Sequence, residues 1–419
     1  MSGTAHADYP IDRVRDQFPA LQRTHRGRPA AYLDGPGGSQ VCRGAIAAIT
    51  TYMERGGANL HGQFPTSHET EAVFAEARAA VADLLGGRPE EVAFGPNMTT
   101  LTLSISRALS RDWKPGDEIV VTEMDHNANV DPWLAAAADR DVKVRWIPVD
   151  RATLTLDLSA LDSLISERTR VVALGAASNA IGAVNDIAAV SAVARAKGAL
   201  VYVDAVHGVP HFFVDREALG IDIVTCSAYK FFGPHVGVTC IRRELFERMK
   251  PYKVAPSPTA IPDCLETGTQ NHEALGGVVA AVDFIAGLGA GDTRRARIES
   301  GYRAIEAWER GLAEKVRQRL RDLPTITLFE PGTARKTPTF ALDVHGEPPL
   351  EVSRWMADEH AIFVADGNFY AVRLGDVTGV NPKGGWLRAG LAPYTSEEEA
   401  TRFVDSLEEY LLSAGSGRR

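Results

Sequence analysis

Short apolar runs rich in valine and isoleucine alternate with helix-like segments between about residues 70 and 245. The runs are Glu91–Phe94, Glu118–Thr122, Val142–Pro148, Val171–Ala176, Ala199–Asp204, Ile221–Ser227 and Gly237–Arg242. Segment 186–198, DIAAVSAVARAKG, shows the helical spacing of apolar residues that fills the gaps between runs. Because strands that alternate with helices need crossover connections, we expect an α/β fold with a mostly parallel, seven-stranded sheet flanked by helices.

The pattern changes after residue 291. A charged helical run from Asp292 to Asp322 is followed by shorter elements. These are predicted strands near Thr325–Phe329, Thr337–Val344 and Gly385–Ala392, and predicted helices near Pro349–His360 and after Ser396. A chain of 419 residues is long enough for one large and one smaller core. We therefore predict an N-terminal arm over residues 1–30, a large domain over 31–291 and a smaller C-terminal α+β domain over 292–419.

Charge and hydropathy exclude several classes of partner. The formal net charge is -9 and lysine and arginine do not cluster, which argues against nucleic acid and anionic membranes. The most apolar window, Gly276 to Gly291, is interrupted by Asp283 and is too short to span a bilayer. The N-terminus lacks the apolar core of a signal peptide.

The cysteines lie far apart and show no CxxC spacing: Cys42, Cys226, Cys240 and Cys264. This arrangement predicts neither a zinc site nor a disulfide framework, so no bound metal is expected. A reducing cytoplasm is the expected compartment.

Two polar residues stand where predicted strands end. Asp204 and Lys230 each follow an apolar run, and ligands of parallel sheets gather beyond the C-terminal strand ends. A lysine in such a place is usually a surface residue, and a lone aspartate could cap a helix. In segment 92–105, VAFGPNMTTLTLSI, a strand leads into a helix whose first turn holds Thr99 and Thr100. A helix N-terminus of this kind binds phosphate well, although the pattern alone is common.

Together these residues match the needs of pyridoxal phosphate held as a Schiff base. Lys230 supplies the amine nucleophile. Asp204 supplies a carboxylate that can keep the pyridine nitrogen protonated. His126, just past another predicted strand, could lie flat over the ring, although it could also be an ordinary loop histidine.

The chain resembles fold-type I pyridoxal phosphate enzymes of the class V aminotransferase family, which contains the cysteine desulfurases. The similarity is carried in order by segments 32–40 YLDGPGGSQ, 123–133 EMDHNANVDPW, 178–186 SNAIGAVND, 203–211 VDAVHGVPH, 226–237 CSAYKFFGPHVG, 266–274 ETGTQNHEA and 386–399 WLRAGLAPYTSEEE. The resemblance implies a fold-type I transferase fold and pyridoxal 5'-phosphate as the cofactor.

By position, the resemblance implies that Lys230 is the Schiff-base lysine, Asp204 the pyridinium partner and His126 the stacking residue. It places Asn179 and His207 near the phenolic oxygen of the cofactor, where many relatives have Gln at the position of His207. Four further residues are implied to serve the phosphate, namely Met98 through its backbone, Thr99, Ser227 and Tyr229. Many relatives have His at the position of Tyr229.

Substrate binding and assembly also follow from the resemblance. Arg388 corresponds to the arginine that grips the α-carboxylate of the substrate, a task that suits its planar fork. Gly37 lies in the segment that borders the substrate pocket, although three glycines and a proline could also form a plain turn. Asn179 is also expected to contact the substrate. Thr269 is expected to reach the phosphate bound by a neighbouring subunit, which predicts a homodimer with shared active sites.

One segment departs from the desulfurase pattern. Cysteine desulfurases attack the substrate sulfur with a cysteine on a loop shortly before the carboxylate-binding arginine. Segment 363–376, FVADGNFYAVRLGD, corresponds to that loop and contains Asn368, Phe369 and Tyr370 but no cysteine. Cys264 could approach the site from another direction, but a buried structural thiol is the favoured interpretation.

We therefore expect an enzyme that forms an external aldimine with an amino acid and removes its α-proton with Lys230. Loss of a sulfur substituent by β-elimination, a C–S lyase reaction, is the favoured outcome. Transamination and racemisation or epimerisation are alternatives, as is a desulfurase that uses an unusual cysteine. A non-enzymatic protein that retains this fold as a binding partner is the least favoured interpretation.

Overall fold

A computed structural model describes residues 9–332 and 334–415. Residues 1–8 of the predicted arm and 416–419 of the predicted C-terminal domain lie outside the described residues. Within the described ranges, no helix has the length and apolar character needed to cross a bilayer.

The helices and strands follow one another as the sequence pattern predicts, with several additional short elements. The helices are α1 Ile11–Arg15, α2 Arg43–Arg55, α3 Pro65–Leu85, α4 Met98–Leu109, α5 Asp131–Ala138, α6 Leu161–Leu164, α7 Ile187–Ala196, α8 Arg243–Phe246, α9 His272–Ala286, α10 Arg294–Arg321, α11 Pro349–His360, α12 Val372–Thr378 and α13 Glu397–Gly415. The strands are β1 Thr24–His25, β2 Arg28–Pro29, β3 Ala31–Tyr32, β4 Val92–Gly95, β5 Glu118–Thr122, β6 Lys143–Ile147, β7 Val149–Asp150, β8 Thr155–Leu156, β9 Thr169–Gly175, β10 Leu200–Asp204, β11 Ile223–Ser227, β12 Gly237–Ile241, β13 Ile326–Phe329, β14 Thr339–Val344, β15 Ile362–Phe363, β16 Ala365–Gly367 and β17 Trp386–Gly390.

The seven predicted apolar runs form one sheet with the strand order β4-β12-β11-β10-β9-β5-β6. Strand β12 is antiparallel to both of its neighbours, and the other pairs are parallel. Strands β5, β11 and β12 are buried at every residue, which is why they read as continuous apolar runs rather than alternating ones. The predicted mostly parallel, seven-stranded sheet is confirmed.

A second, antiparallel sheet has the order β13-β14-β17-β16. Its own core includes Phe340, Leu387 and Phe403, which are all fully buried. Ala31 and Leu33 also belong to this core, because β3 pairs with β15. The division of the chain between residues 291 and 292 stays a prediction, and it falls in the short connection between α9 and α10. The sequence did not predict β16, which is too short to show a period.

The described part of the N-terminal arm is attached to the C-terminal part of the chain. The Tyr9 hydroxyl donates to the Pro393 carbonyl at 3.0 Å. The Arg15 guanidinium donates to both carboxylate oxygens of Glu399 at 2.7 and 3.0 Å. Glu399 is largely buried and also accepts the N–H of Ser396, at the start of α13. A bidentate, partly buried pair of this kind holds the arm more firmly than an exposed ion pair would.

We predict that Arg15→Ala lowers the free energy of unfolding by about 1–3 kcal/mol, because it leaves the buried Glu399 carboxylate without its charged donor. Urea unfolding followed by tryptophan fluorescence measures the change. Arg354→Ala is the matched control, because Arg354 and Glu351 form an exposed pair within one helix. The control should stay within about 0.5 kcal/mol of the wild type. Equal effects of the two substitutions would show that the arm is not anchored by this pair.

Candidate active site

A cavity of about 730 Å³ opens at the C-terminal ends of β9, β10 and β11, where Gly175, Asp204 and Ser227 line it. Parallel sheets bind ligands at this edge. The structure brings together eleven of the residues singled out from the sequence: Gly37, Met98, Thr99, His126, Asn179, Asp204, His207, Ser227, Tyr229, Lys230 and Arg388. Thr269 is exposed and does not line this cavity.

Lys230 lies inside the protein. It ends a short 3-10 turn directly after β11, and its side chain reaches the segment that precedes α2. The Nζ atom donates to the carbonyl oxygens of Pro36 and of Gly37, the latter at 2.8 Å. Burial, followed by the nearby Arg388 charge, lowers the pKa of Lys230 to about 7. The free amine is therefore neutral in a large fraction of molecules near pH 7, as a nucleophile or base must be.

Asp204 is the last residue of β10 and is 8% exposed. One carboxylate oxygen accepts the Val206 N–H at 2.9 Å. Burial raises the pKa of Asp204 to about 6, and the Lys230 charge opposes that rise. A cation bound in the cavity would favour the ionised carboxylate further. The site therefore suits a positively charged ring nitrogen.

His126 presents a flat, neutral ring. Its Nδ1 accepts the Ala128 N–H at 2.9 Å, and burial, followed by Lys230 and Arg388, lowers the pKa of His126 to about 4. The Tyr370 ring lies against it, with centroids 5.3 Å apart.

Asp125, to which the sequence analysis assigned no role, holds the loop that carries His126. Its carboxylate accepts the Gly175 N–H at 3.0 Å and the Asn129 side-chain amide at 2.7 Å. Burial raises the pKa of Asp125 to about 7. The residue stands inside the quoted EMDHN segment, but its partner at the end of β9 lies 50 positions away and leaves no local signal.

The N-terminus of α4 lines one end of the cavity. Asn97 caps this helix by accepting the Thr100 N–H at 2.9 Å, and the Met98 N–H donates to Ser227 Oγ at 2.9 Å. A Cβ atom on Gly237 would lie 2.4 Å from the Asn97 carbonyl carbon, so only glycine permits this approach of β12 to the helix start. Free N–H groups and the positive end of the helix dipole suit an anion such as phosphate.

Arg388 enters the cavity from the middle of β17 and is 3% exposed. Its guanidinium donates to the Asn179 carbonyl at 2.9 Å and to Asp34 Oδ1 at 3.0 Å. The Phe369 ring centroid lies 3.7 Å from its central carbon. Burial lowers the pKa of Arg388, and Asp34 opposes that effect. A Cβ atom on Gly37 would lie 2.2 Å from Asp34 Oδ2, so glycine leaves the space that this carboxylate occupies.

A desulfurase nucleophile was expected from the sequence at the position of Asn368, Phe369 and Tyr370. Phe369 and Tyr370 both have a positive φ, at 55° and 59°. Asn179 Nδ2 donates to the Phe369 carbonyl at 2.9 Å, and the Asn127 N–H donates to the Tyr370 carbonyl at 2.7 Å. These bonds bring two aromatic side chains to the cavity wall.

The four cysteines are all buried, and none of them lines this cavity. Burial raises the pKa of each thiol, that of Cys240 to about 12. Because the thiolate is the reactive form, the environments of these cysteines suit structural thiols.

The residues present fit pyridoxal phosphate. The cavity contains a buried amine, a buried carboxylate and a helix N-terminus that together complement its aldehyde, ring nitrogen and phosphate. Asn179 Oδ1 and Arg388 Nε are buried without a hydrogen-bond partner in the described structure. Native proteins rarely leave such atoms unpaired, so they mark positions where a bound molecule can supply partners. Among the described residues, no cluster of three His, Cys, Asp or Glu side chains could hold a metal.

Comparisons with known proteins agree with this geometry. The family model described as "Aminotransferase class-V" matches residues 31–403. The protein MT3887 of Mycobacterium tuberculosis is 32% identical over 97% of this chain and 100% of its own length. A cysteine desulfurase of Dickeya dadantii is 31% identical over 95% of this chain and 96% of its own length. The crystal structure of the cysteine desulfurase CsdA of Escherichia coli superimposes with a TM-score of 0.84 at 28% identity, covering 96% of this chain and 98% of that one.

The matched region spans both sheets and every residue that lines the cavity. Family members use pyridoxal 5'-phosphate, for which the cavity has the required amine, carboxylate and anion site. The chain belongs to the class V aminotransferase family and is a pyridoxal phosphate-dependent enzyme with a cysteine desulfurase-like, fold-type I structure.

Proposed function

We propose that this enzyme cleaves a carbon–sulfur bond of an amino acid by β-elimination and uses no cysteine nucleophile. The observation that carries this proposal is the composition of the cavity wall. Phe369 and Tyr370 line it where a nucleophilic cysteine was expected, and all four cysteines are buried elsewhere. A desulfurase reaction needs a thiolate at the substrate sulfur, whereas elimination needs only a base and an electron sink.

Bound pyridoxal phosphate supplies that electron sink by stabilising negative charge at the substrate α-carbon. Lys230 would hold the cofactor through Nζ, Asp204 would face its ring nitrogen, and His126 would lie flat against the ring. The start of α4 would hold the phosphate, with Met98, Thr99, Ser227 and Tyr229. Asn179 and His207 would complete the binding of the ring.

Lys230 is the proposed base. Burial and the Arg388 charge favour its neutral form, so its amine can take the α-proton of an amino acid near neutral pH. The activity that depends on this base should rise with pH as the amine loses its proton. Above the Lys230 pKa of about 7, activity should no longer increase with pH.

Arg388 is the proposed carboxylate site. Among the described residues its buried Nε has no hydrogen-bond partner, and its position is fixed by Asn179 and by the Phe369 ring. Asp34, the other partner of Arg388, is partly exposed. The arginine would orient the substrate, while Gly37 leaves the space that the Asp34 carboxylate occupies beside it.

We further propose a homodimer in which Thr269 serves the phosphate site of the partner subunit. The support is that Thr269 is exposed and lies away from the cavity of its own chain. A reducing compartment such as the cytoplasm suits the four free, buried cysteines.

The proposal is tested by a variant in which all four cysteines are replaced by alanine. We predict that its turnover of a cysteine-type substrate stays within about threefold of the wild type, provided that the variant folds, because elimination requires no thiolate. The products should be pyruvate, ammonia and free sulfide or thiol, scored separately from alanine and from the amine form of the cofactor. Lys230→Ala is the inactive control.

Alanine as the product, together with a persulfide on Cys264 after turnover, would overturn elimination and restore a desulfurase. Accumulation of the amine form of the cofactor would instead indicate transamination. Inversion of the amino acid without release of sulfur would indicate a racemase.

A second prediction concerns the carboxylate site. Arg388→Lys should keep the absorbance of the bound cofactor but weaken amino-acid binding roughly tenfold to a hundredfold, because an ammonium cannot form two parallel hydrogen bonds. Titration with the substrate, followed through the cofactor spectrum, gives the affinity. Arg216→Lys is the matched control, since Arg216 is equally buried but does not line this cavity. Unchanged affinity in Arg388→Lys would place the substrate carboxylate elsewhere.

A further inference from the structure

Two neighbouring aromatic side chains form the cavity wall beside Arg388. Phe369 and Tyr370 line the cavity, and they are its two largest side chains without a proposed role in binding the cofactor or the substrate carboxylate. The Phe369 ring centroid lies 3.7 Å from the central carbon of Arg388, and the centroids of the Tyr370 and His126 rings are 5.3 Å apart. The two rings therefore border both the carboxylate site and the position proposed for the cofactor ring.

The direction of the substrate side chain follows from the other three groups on its α-carbon. The carboxylate is proposed to bind Arg388, the amine to face the cofactor and the proton to face Lys230. The side chain takes the remaining direction, and Phe369 and Tyr370 are the large side chains left to meet it. We therefore expect the properties of this wall to determine which amino acids are accepted.

Hydrogen bonds and stacking hold the two aromatic residues in place. Asn179 Nδ2 donates to the Phe369 carbonyl, and the Asn127 N–H donates to the Tyr370 carbonyl. The Trp386 ring is nearly parallel to the Phe369 ring, with centroids 6.5 Å apart and an angle of 13° between the planes. These contacts make the wall a fixed and largely apolar surface.

The charges of the cavity are already engaged. Among the described residues that line it, the basic side chains other than histidine are Lys230 and Arg388, proposed for the α-proton and the carboxylate. The acids are Asp204, proposed for the ring nitrogen, and Asp125, which accepts hydrogen bonds from its own loop and from the end of β9. A charged group on the substrate side chain would lose hydration here without gaining a partner of opposite charge.

The histidines of the cavity do not supply that partner. Burial lowers the pKa of His126 to about 4 and the pKa of His207 well below its ordinary value, so both rings are neutral near pH 7. His235 is exposed and stacks on Tyr229, a residue proposed for the phosphate, with ring centroids 4.9 Å apart. Its ring therefore belongs to the phosphate end of the cavity, and the wall that faces the substrate side chain is left uncharged.

We propose that the substrate is a thioether of cysteine whose sulfur carries an uncharged, apolar group, and that Phe369 and Tyr370 select this group. The inference rests on the proposed carbon–sulfur cleavage and names its substrate class. Contact with the two rings removes the apolar group from water, and a thioether sulfur itself packs favourably against aromatic rings. Free cysteine offers only a thiol to this surface, so it gains less from binding.

The reaction of such a substrate balances with water as the co-reactant. Lys230 takes the α-proton, the bond between the β-carbon and sulfur breaks, and the sulfur leaves with the bonding electron pair and acquires a proton. Hydrolysis of the remaining three-carbon fragment gives pyruvate and ammonium. One thioether and one water thus give one thiol, one pyruvate and one ammonium ion, and no oxidant or reductant is needed.

Norleucine and α-aminoadipate test the selectivity apart from bond cleavage. The two amino acids are matched in length, differ only in a terminal methyl or carboxylate, and cannot lose a thiol. Each is titrated into the enzyme loaded with pyridoxal 5'-phosphate and followed through the cofactor spectrum. We expect norleucine to bind at least about tenfold more tightly, because the terminal carboxylate is left without a partner. Equal affinities, or tighter binding of α-aminoadipate, would overturn the inference.

The corresponding thioethers, S-ethylcysteine and S-carboxymethylcysteine, test the reaction. We expect kcat/KM for release of thiol and pyruvate from S-ethylcysteine to exceed that of S-carboxymethylcysteine and of cysteine by about tenfold or more. Tight binding of norleucine without cleavage of S-ethylcysteine would contradict the proposed function, while the selectivity for an apolar side chain would stand. Release of sulfide and pyruvate from cysteine, with no preference between the thioethers, would keep the proposed function and refute the substrate class.

Variants of the wall test the two aromatic residues. Asparagine tolerates a positive φ, so Phe369→Asn and Tyr370→Asn remove each ring with little added backbone strain. Each should weaken norleucine binding by about tenfold and leave α-aminoadipate binding nearly unchanged. Tyr252→Asn is the matched control, because Tyr252 is an exposed aromatic residue that does not line the cavity. An equal loss of affinity for both amino acids would show that the rings only position Arg388, and would refute their role in selection.

Discussion

The burial of a single amine governs the rest of this active site. Lys230 is 7% exposed, and a charged ammonium in such a place loses most of its hydration. The carbonyl oxygens of Pro36 and Gly37 compensate in part by accepting hydrogen bonds, and the remaining penalty lowers the pKa to about 7. The segment that contains Pro36 and Gly37 is therefore needed to cover Lys230. The second sheet in turn supports this segment, since Asp34 pairs with Gly390.

The C-terminal edge of the large sheet determines which other residues reach the cavity. Strands β9, β10 and β11 are parallel, so their final residues lie side by side at one edge. This brings Asp204 within electrostatic reach of Lys230, and it brings the turn after β11 to the same cavity. The second sheet contributes Arg388 from β17 and two aromatic residues from the turn after β16. Residues that line the cavity thus come from both sheets, whereas the cysteines stay buried within the cores.

Local pattern was sufficient to predict the seven strands, the long helix α10 and the residues at the strand ends, because each depends on the periodicity of a short segment. Family resemblance added the roles expected of Asn179, Tyr229 and Arg388. The remaining contacts could not be predicted, because they join distant parts of the chain. Asp34 and Arg388 are 354 positions apart, and His207 meets Thr337 across 130 positions. The placement of Phe369 against Arg388 depends on the positive φ of Phe369 and Tyr370. A pattern of side chains does not predict such backbone angles.

Lys230 is the proposed amine that binds the cofactor and then serves as the base. This role is tested by reduction of the wild-type enzyme with borohydride in the presence of pyridoxal 5'-phosphate, followed by proteolysis and mass spectrometry of the peptides. We predict a stable phosphopyridoxyl adduct on the peptide that contains Lys230. A saturating amino-acid substrate, added before reduction, should transfer most of the label from the protein to the free amino acid. An adduct located mainly on another lysine, or label that stays on the protein with every amino acid tested, would contradict this role of Lys230.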